Sequence, residues 1–115
     1  MERRRQAYVT ADITSALQSV VTEGTGAAAQ ALGRPAAGKT GTAGPEGITQ
    51  SSWFVGYTPQ LATAVGYFRG EGTATDDLDG AGGLSTFFGG AYPARTWTTF
   101  MIGAFISMDA DKFLR

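Results

Sequence analysis

Residues 36–43 read Ala-Ala-Gly-Lys-Thr-Gly-Thr-Ala, and what this stretch forms decides the fold expected around it. Pro35 precedes this stretch. All of its side chains are small except that of Lys39, which is one of two lysines in the sequence. A run of such small residues predicts an extended strand that another backbone can approach closely. The lysine, placed among glycines beside the hydroxyls of Thr40 and Thr42, also indicates that this strand binds an anion.

Three interpretations of the lysine are open from the motif alone. Gly33, Gly38, Lys39 and Thr40 fit the phosphate-loop pattern G-x-x-x-x-G-K-[ST], in which a lysine and backbone N–H groups hold nucleotide phosphates. That pattern needs a strand before it and a helix after it, whereas an alanine-rich, helix-like run at 27–32 precedes it here. The second interpretation is a K-T-G substrate-binding element, which needs a strand. The third is a glycine-rich turn with a solvated lysine.

The composition indicates one globular domain at most. The chain has 115 residues, of which 43% are hydrophobic, and a net charge of −1. These values favour a folded core and give no general attraction to nucleic acid. His, Cys and Asn are absent from the sequence, which excludes Ser-His-Asp and Cys-His catalysis and the usual zinc ligands. We therefore expect no metal, no cofactor and no nucleic-acid partner.

No stretch of the sequence is predicted to cross a membrane. The longest charge-free apolar run near the end, 96–108, has 13 residues and is too short to span a bilayer. The first residues, Met1-Glu2-Arg3-Arg4-Arg5, lack the apolar segment of a secretory signal. We therefore expect neither a signal nor a transmembrane segment in this chain.

Hydrophobic periodicity predicts one helix before the 36–43 stretch and one near the end of the chain. The first is predicted at about 10–23, with Thr10 as its N-cap and Gly24 at its end. Its apolar residues recur at helical spacing: Ile13, Ala16, Leu17, Val20 and Val21. The second is predicted at about 93–108, because Pro93 suits a first helical turn and apolar residues again follow helical spacing.

Alternating side chains predict three strands, at about 36–43, 52–58 and 61–68. Short connections join them, which is typical of an antiparallel meander. The predicted fold class is therefore α+β, with a three-stranded antiparallel sheet flanked by an N-terminal and a C-terminal helix. The same periodicity places four aromatic residues in the core rather than in a ligand-stacking site: Trp53, Tyr57, Trp97 and Phe100.

An acidic segment near residue 77 resembles a calcium loop at first. The register that aligns Asp77 and Asp79 puts Thr75 at the first ligand position and Thr86 where the bidentate glutamate belongs. Two ligands are thus missing, and we predict a solvated acidic loop.

Further motifs occur around Lys39 in the order they have in one known family. The sequence contains, in order, Gly24-Thr25-Gly26, Ala37-Gly38-Lys39-Thr40-Gly41-Thr42, Trp53-Phe54-Val55-Gly56-Tyr57-Thr58-Pro59, Tyr92-Pro93-Ala94-Arg95-Thr96-Trp97 and Phe100-Met101. With these motifs the chain resembles the C-terminal part of the transpeptidase domain of class A, bifunctional penicillin-binding proteins, in the penicillin-binding and serine β-lactamase superfamily. The resemblance covers roughly Tyr8 to Phe105.

The resemblance implies a partial β-lactamase/transpeptidase-like fold. It also implies a serine D,D-transpeptidase that cross-links peptidoglycan in the cell wall, is acylated by β-lactams and works at the extracytoplasmic face of the cell membrane. The K-T-G strand would then accept the stem peptide as an added strand. By resemblance, Thr40 and Thr42 would hold the substrate carboxylate, and Lys39 would supply positive potential and help organise the serine of the middle motif. The backbone N–H of Thr42 would be one oxyanion-hole donor, and Gly41 completes the substrate-binding set.

The sequence departs from that family in its nucleophile. The S-x-x-K motif needs a lysine three residues after a serine, and no serine of this chain has one; without Asn, the S-x-N motif is missing too. The resemblance places both motifs before Met1, so we expect no catalytic side chain and no activity in this chain alone. We also expect self-association through an exposed strand edge. A non-catalytic, truncated interaction module and a phosphate-loop nucleotide binder remain as alternatives.

Overall fold

The computed structural model describes residues 2–71, 76–84, 86–106 and 113. Its elements in chain order are helix α1 (Glu2–Thr22), a 3-10 helix (Ala27–Leu32), strands β1 (Ala37–Ala43), β2 (Ser51–Tyr57) and β3 (Ala62–Phe68), a short 3-10 turn (Ala81–Gly83) and helix α2 (Tyr92–Ala104). In the described part of the chain, no helix is both long enough and apolar enough to cross a membrane.

The three strands form one antiparallel sheet in the order β1-β2-β3. Lys39 pairs with Val55 and Gly41 with Trp53, while Phe54 pairs with Val65 of β3. Each strand lies within about a residue of its predicted range, and the predicted α+β class is confirmed. Because β2 is central, β1 lies at an edge of the described sheet, where backbone groups on one side have no strand partner.

One face of the sheet packs against α2 and carries the core. Phe54, Trp97 and Met101 are fully buried there, and the rings of Phe54 and Trp97 meet edge-on with centroids 5.2 Å apart. The indole N–H of Trp97 donates to the carbonyl of Thr63 at 3.1 Å, so its polar group is satisfied. A Cβ at Gly56 would lie 2.8 Å from both rings, so a glycine is needed where the two rings meet the strand.

The opposite face of the sheet is open and apolar. Trp53, Val55 and Phe68 lie on it and are 40%, 48% and 58% exposed. The predicted core position is therefore wrong for Trp53, and also for Phe100 on α2, which is 56% exposed. Period-two alternation shows which residues share a face of a strand, but it does not show which face packs against a helix. Here α2 covers the face that carries Phe54.

Helix α1 begins at Glu2, so the predicted start at Thr10 is wrong. Glu, Arg, Gln and Ala, which favour helices, precede Thr10 and carry the helix through it. The predicted apolar stripe is only partly buried: Val21 is 4% exposed, whereas Ile13 is 54% exposed. Thr14, the residue directly after Ile13, is buried instead, and its Oγ1 lies 2.8 Å from the hydroxyl of Tyr57.

Helix α2 begins at Tyr92 with Pro93 in its first turn, as predicted, but it ends at Ala104 rather than near 108. The backbone N–H of Phe105 still bonds to the carbonyl of Met101 at 3.0 Å, and the chain then turns at Ile106. Met108, the last apolar residue of the predicted stripe, lies outside the described residues.

The acidic segment holds the connection between β1 and β2. One carboxylate oxygen of Asp77 accepts a hydrogen bond from the backbone N–H of Thr49 at 3.0 Å, and Asp79 accepts one from the Thr49 hydroxyl at 3.0 Å. Leu78, buried between them, donates its N–H to the Thr49 carbonyl at 2.9 Å. The segment is a loop in which Asp79 is exposed and Asp77 half-buried, and its carboxylates also bond to Thr49, which lies 28 and 30 residues earlier in sequence.

Candidate functional site

The K-T-G residues lie in the middle of β1, in extended backbone. Gly38 is needed there because a Cβ at that position would lie 2.7 Å from the Phe54 ring and 3.0 Å from the Val55 carbonyl oxygen. Side chains alternate along a strand, so Thr40 and Thr42 lie on the same face as Gly38 and Phe54. Lys39 lies on the opposite, open face beside Val55.

The side chain of Lys39 is exposed at the surface. Its Nζ donates a hydrogen bond to the carbonyl oxygen of Thr40 at 2.9 Å, which holds the ammonium group close to the strand. A lysine Nζ carries three donors, so the ammonium retains donors for an external acceptor. The edge of β1 thus has a positive charge and hydroxyl groups within one short segment.

The hydroxyl of Thr40 lies against a residue from the turn after α1. Its Oγ1 is 2.8 Å from the Oγ1 of Thr25. Thr25 is held there because Gly26 packs tightly: a Cβ at Gly26 would lie 3.0 Å from the Phe54 ring and 3.2 Å from Val20. The motif Gly24-Thr25-Gly26 contributed to the family resemblance, but no role was predicted for Thr25.

The hydroxyl of Thr42 is held by the segment that leads into α2. The backbone N–H of Gly89 donates to Thr42 Oγ1 at 3.1 Å. A Cβ at Gly89 would lie 2.3 Å from the carbonyl oxygen of Trp53, and one at Gly90 would lie 2.1 Å from that of Thr25. The Gly89-Gly90 pair, missing from the predicted site, therefore fits directly against both the K-T-G strand and the Thr25 turn. Two adjacent glycines just before a proline-initiated helix were the available sequence signal.

A phosphate loop is not formed. Gly33 ends the 3-10 helix in a left-handed conformation with φ of 76°, and Lys39 and Thr40 lie inside a strand rather than at the start of a helix. The backbone N–H groups of a helix start, which would bind phosphate, are therefore lacking beside Lys39. The site is a strand edge.

One cavity formed by the described residues lies away from the middle of the K-T-G strand. A cavity of about 400 Å³ lies where α1 meets the end of β2, lined by residues that include Thr10, Thr14, Tyr57 and Phe113. Tyr57 pairs with the first residue of β1, Ala37, whereas Thr42 pairs with Ser52 at the other end of the hairpin. Thr42 therefore lies at the other end of the β1–β2 hairpin from this cavity, on the edge strand of the described sheet.

Known proteins match this arrangement in sequence and in structure. The family described as penicillin binding protein transpeptidase domain matches residues 2–78. Penicillin-binding protein 1A of Mycolicibacterium smegmatis is 37% identical over 114 residues, which cover 97% of this chain and 14% of that protein. Penicillin-binding protein 1A/1B of Bacillus subtilis is 41% identical over 78 residues, covering 58% of this chain and 8% of that protein.

Solved structures agree with these relatives. The penicillin-binding protein PonA1 from Mycobacterium tuberculosis superposes with a TM-score of 0.76 at 31% identity, covering 93% of this chain and 27% of that chain. The same values of TM-score and identity hold for PonA1 in complex with penicillin V. The chain thus spans about a seventh of the length of its mycobacterial relative, 14%. It belongs to the transpeptidase domain family of the penicillin-binding proteins, as part of such a domain from a class A protein.

Proposed function

We propose that this chain supplies the substrate-binding strand of a serine D,D-transpeptidase that cross-links peptidoglycan. The substrate-binding residues are Lys39, Thr40, Gly41 and Thr42. The observation that carries the proposal is their position on the edge strand of a sheet whose fold matches the transpeptidase domain. The reaction takes place at the extracytoplasmic face of the cell membrane, where stem peptides are cross-linked.

Edge strand β1 suits an extended peptide ligand. A peptide that ends in acyl-D-Ala-D-Ala adds to the edge as a further strand, and its main chain bonds to β1. Its terminal carboxylate, or that of a β-lactam, then accepts hydrogen bonds from the hydroxyls of Thr40 and Thr42. Lys39 supplies positive potential from the other face of the strand, with its Nζ at the Thr40 carbonyl oxygen. Hydrogen bonds to an ionised acceptor are stronger than neutral ones, so these contacts favour a ligand with a free carboxylate.

The backbone of Thr42 stabilises the developing negative charge. Alternate N–H groups of an edge strand point away from the sheet, where they are free to donate to a ligand. The N–H of Thr42 donates to the carbonyl oxygen as it becomes tetrahedral, and such a donor contributes on the order of 100-fold or more in rate. The serine that attacks that carbonyl belongs to an S-x-x-K motif, which the 115 residues of this chain do not contain.

Acylation by penicillin V tests the proposal in two forms of the protein. One is the isolated chain; the other is a chimera in which this chain replaces the aligned segment of Mycolicibacterium smegmatis penicillin-binding protein 1A. We expect intact-mass analysis to find one covalent adduct on the chimera and none on the isolated chain. A stoichiometric adduct on the isolated chain, or a folded chimera without one, contradicts the proposal.

Thr40→Val in the chimera tests the strand itself. The substitution keeps the shape of the side chain and removes its hydroxyl, so we expect acylation to slow by about tenfold to a hundredfold, the value of a hydrogen bond to a charged group. Thr22→Val, at an exposed position at the end of α1, is the matched control and leaves the rate unchanged. An unchanged rate for Thr40→Val removes Thr40 from the site.

A further inference from the structure

Two groups outside the K-T-G motif contact the hydroxyls that the proposed function assigns to carboxylate binding. The backbone N–H of Gly89 contacts Thr42 Oγ1, and the hydroxyl of Thr25 contacts Thr40 Oγ1. A threonine hydroxyl has one proton to donate and two lone pairs to accept with. If the threonine is the acceptor in such a contact, its own hydroxyl proton is available to a ligand; if it is the donor, the proton is already used.

The contact at Thr42 has only one possible direction. A backbone N–H donates and never accepts, so at 3.1 Å Thr42 Oγ1 is the acceptor from Gly89. This bond leaves the hydroxyl proton of Thr42 available. Gly89 reaches this position only because it lacks a Cβ, which would lie 2.8 Å from the backbone nitrogen of Gly41.

The contact at Thr40 has two possible directions, and a carboxylate selects one of them. At 2.8 Å either hydroxyl is able to donate to the other. An ionised carboxylate only accepts, so Thr40 must give it its single proton, and Thr25 must then donate to Thr40. A hydroxyl that accepts one hydrogen bond is polarised and donates the next more strongly.

We propose that Thr25 is a positioning residue for substrate: it donates to Thr40 and so directs the Thr40 hydroxyl proton toward the carboxylate of the ligand, as Gly89 does for Thr42. This inference rests on the proposed function of β1. It goes beyond that function because Thr25 does not touch the ligand and lies outside the K-T-G strand. Its effect is confined to ligands that carry a free carboxylate, and this property separates a positioning role from a structural one.

The test measures acylation of the chimera by two ligands: penicillin V and its methyl ester, in which the carboxylate charge is removed. In Thr25→Val, which keeps the side-chain shape, we expect the second-order acylation rate with penicillin V to fall by about fivefold, the value of one neutral hydrogen bond. With the methyl ester we expect less than a twofold change. Thr25→Ser retains the donor and restores the rate with penicillin V, while Thr22→Val matches the unmodified chimera with both ligands.

Any other result contradicts either the inference about Thr25 or the proposed function of β1. Equal slowing of both ligands by Thr25→Val means that Thr25 has a structural role, and this inference is wrong. A normal rate with penicillin V in Thr25→Val, together with a slow rate in Thr40→Val, also overturns the inference but leaves the proposed function standing. A normal rate in Thr40→Val overturns the proposed function, and the inference fails with it.

Discussion

Gly89 packs tightly against the backbone of the candidate site. An added Cβ would lie 2.3 Å from the Trp53 carbonyl oxygen and 3.0 Å from the Thr40 Cβ, so the neighbouring backbone would have to move. Overpacking of this kind costs about 1–3 kcal/mol. In the chimera we therefore expect Gly89→Ala to lower both the melting temperature and the acylation rate with penicillin V.

Gly103→Ala is the matched control for that substitution. Gly103 lies in the last turn of α2, and an added Cβ would meet nothing within 4 Å. Alanine is favoured over glycine in a helix by up to about 1 kcal/mol, so this variant keeps or slightly raises the melting temperature. If Gly89→Ala and Gly103→Ala have the same melting temperature and acylation rate, the Gly89-Gly90 pair does not pack closely against β1 as described.

The contacts at Thr40 and Thr42 show where prediction from sequence stops at this scale. The small residues of β1 and the motif order were sufficient to predict the strand and to assign Lys39, Thr40, Gly41 and Thr42 to it. The partners of the two hydroxyls were not predicted, because Thr25 and Gly89 are 15 and 47 residues away from them in sequence. Local periodicity contains no information on such pairs.

At the scale of the elements, the core forms mainly where α2 packs on the sheet. The two tryptophans differ in whether they lie in this core. Trp97 is fully buried in α2, whereas Trp53 is 40% exposed on the open face. Truncating a buried tryptophan costs about 3–5 kcal/mol, a large part of the stability of a small domain. We therefore expect Trp97→Ala to unfold the isolated chain or to lower its urea midpoint strongly.

Trp53→Ala should have a much smaller effect, because the indole is partly solvated and lies over Gly66 rather than in the core. Urea titrations of the dilute chain, followed by far-UV circular dichroism, compare the two variants. Equal losses for Trp97→Ala and Trp53→Ala would mean that both faces of the sheet contribute equally to stability, against the burial described above.

The boundaries of helices and strands were predicted correctly where turn residues interrupt the hydrophobic periodicity. They were missed where no such residue occurs. Gly24 and the turn residues between strands interrupt the periodicity, and the predicted α1 end and strand limits agree with the structure to within one or two residues. The start of α1 has no such break, since the residues before Thr10 also favour a helix. The face of β2 that packs inward depends on where α2 docks, which no pattern within β2 specifies.

The whole molecule leaves apolar surface and strand edges uncovered. The sheet face opposite α2 exposes Trp53, Val55 and Phe68, and β3 is the last strand of the described sheet. Contiguous apolar patches beside an unpaired strand edge favour association. The chain spans 14% of the length of its mycobacterial relative. In a protein of that length, other segments are present that can pack against the surface exposed here.

We therefore predict that the isolated chain self-associates through this face. Light scattering coupled to size-exclusion chromatography should give a mass above that of the 12.0 kDa monomer, rising with concentration. The double substitution Val55→Lys and Phe68→Lys places two charges on the face and should shift the chain toward the monomer, because desolvating a lysine opposes burial. Thr22→Lys adds a charge at an exposed position at the end of α1 and should leave the association unchanged. A monomeric profile with a sharp cooperative melt for the unmodified chain contradicts the prediction, as does association that the double substitution does not weaken.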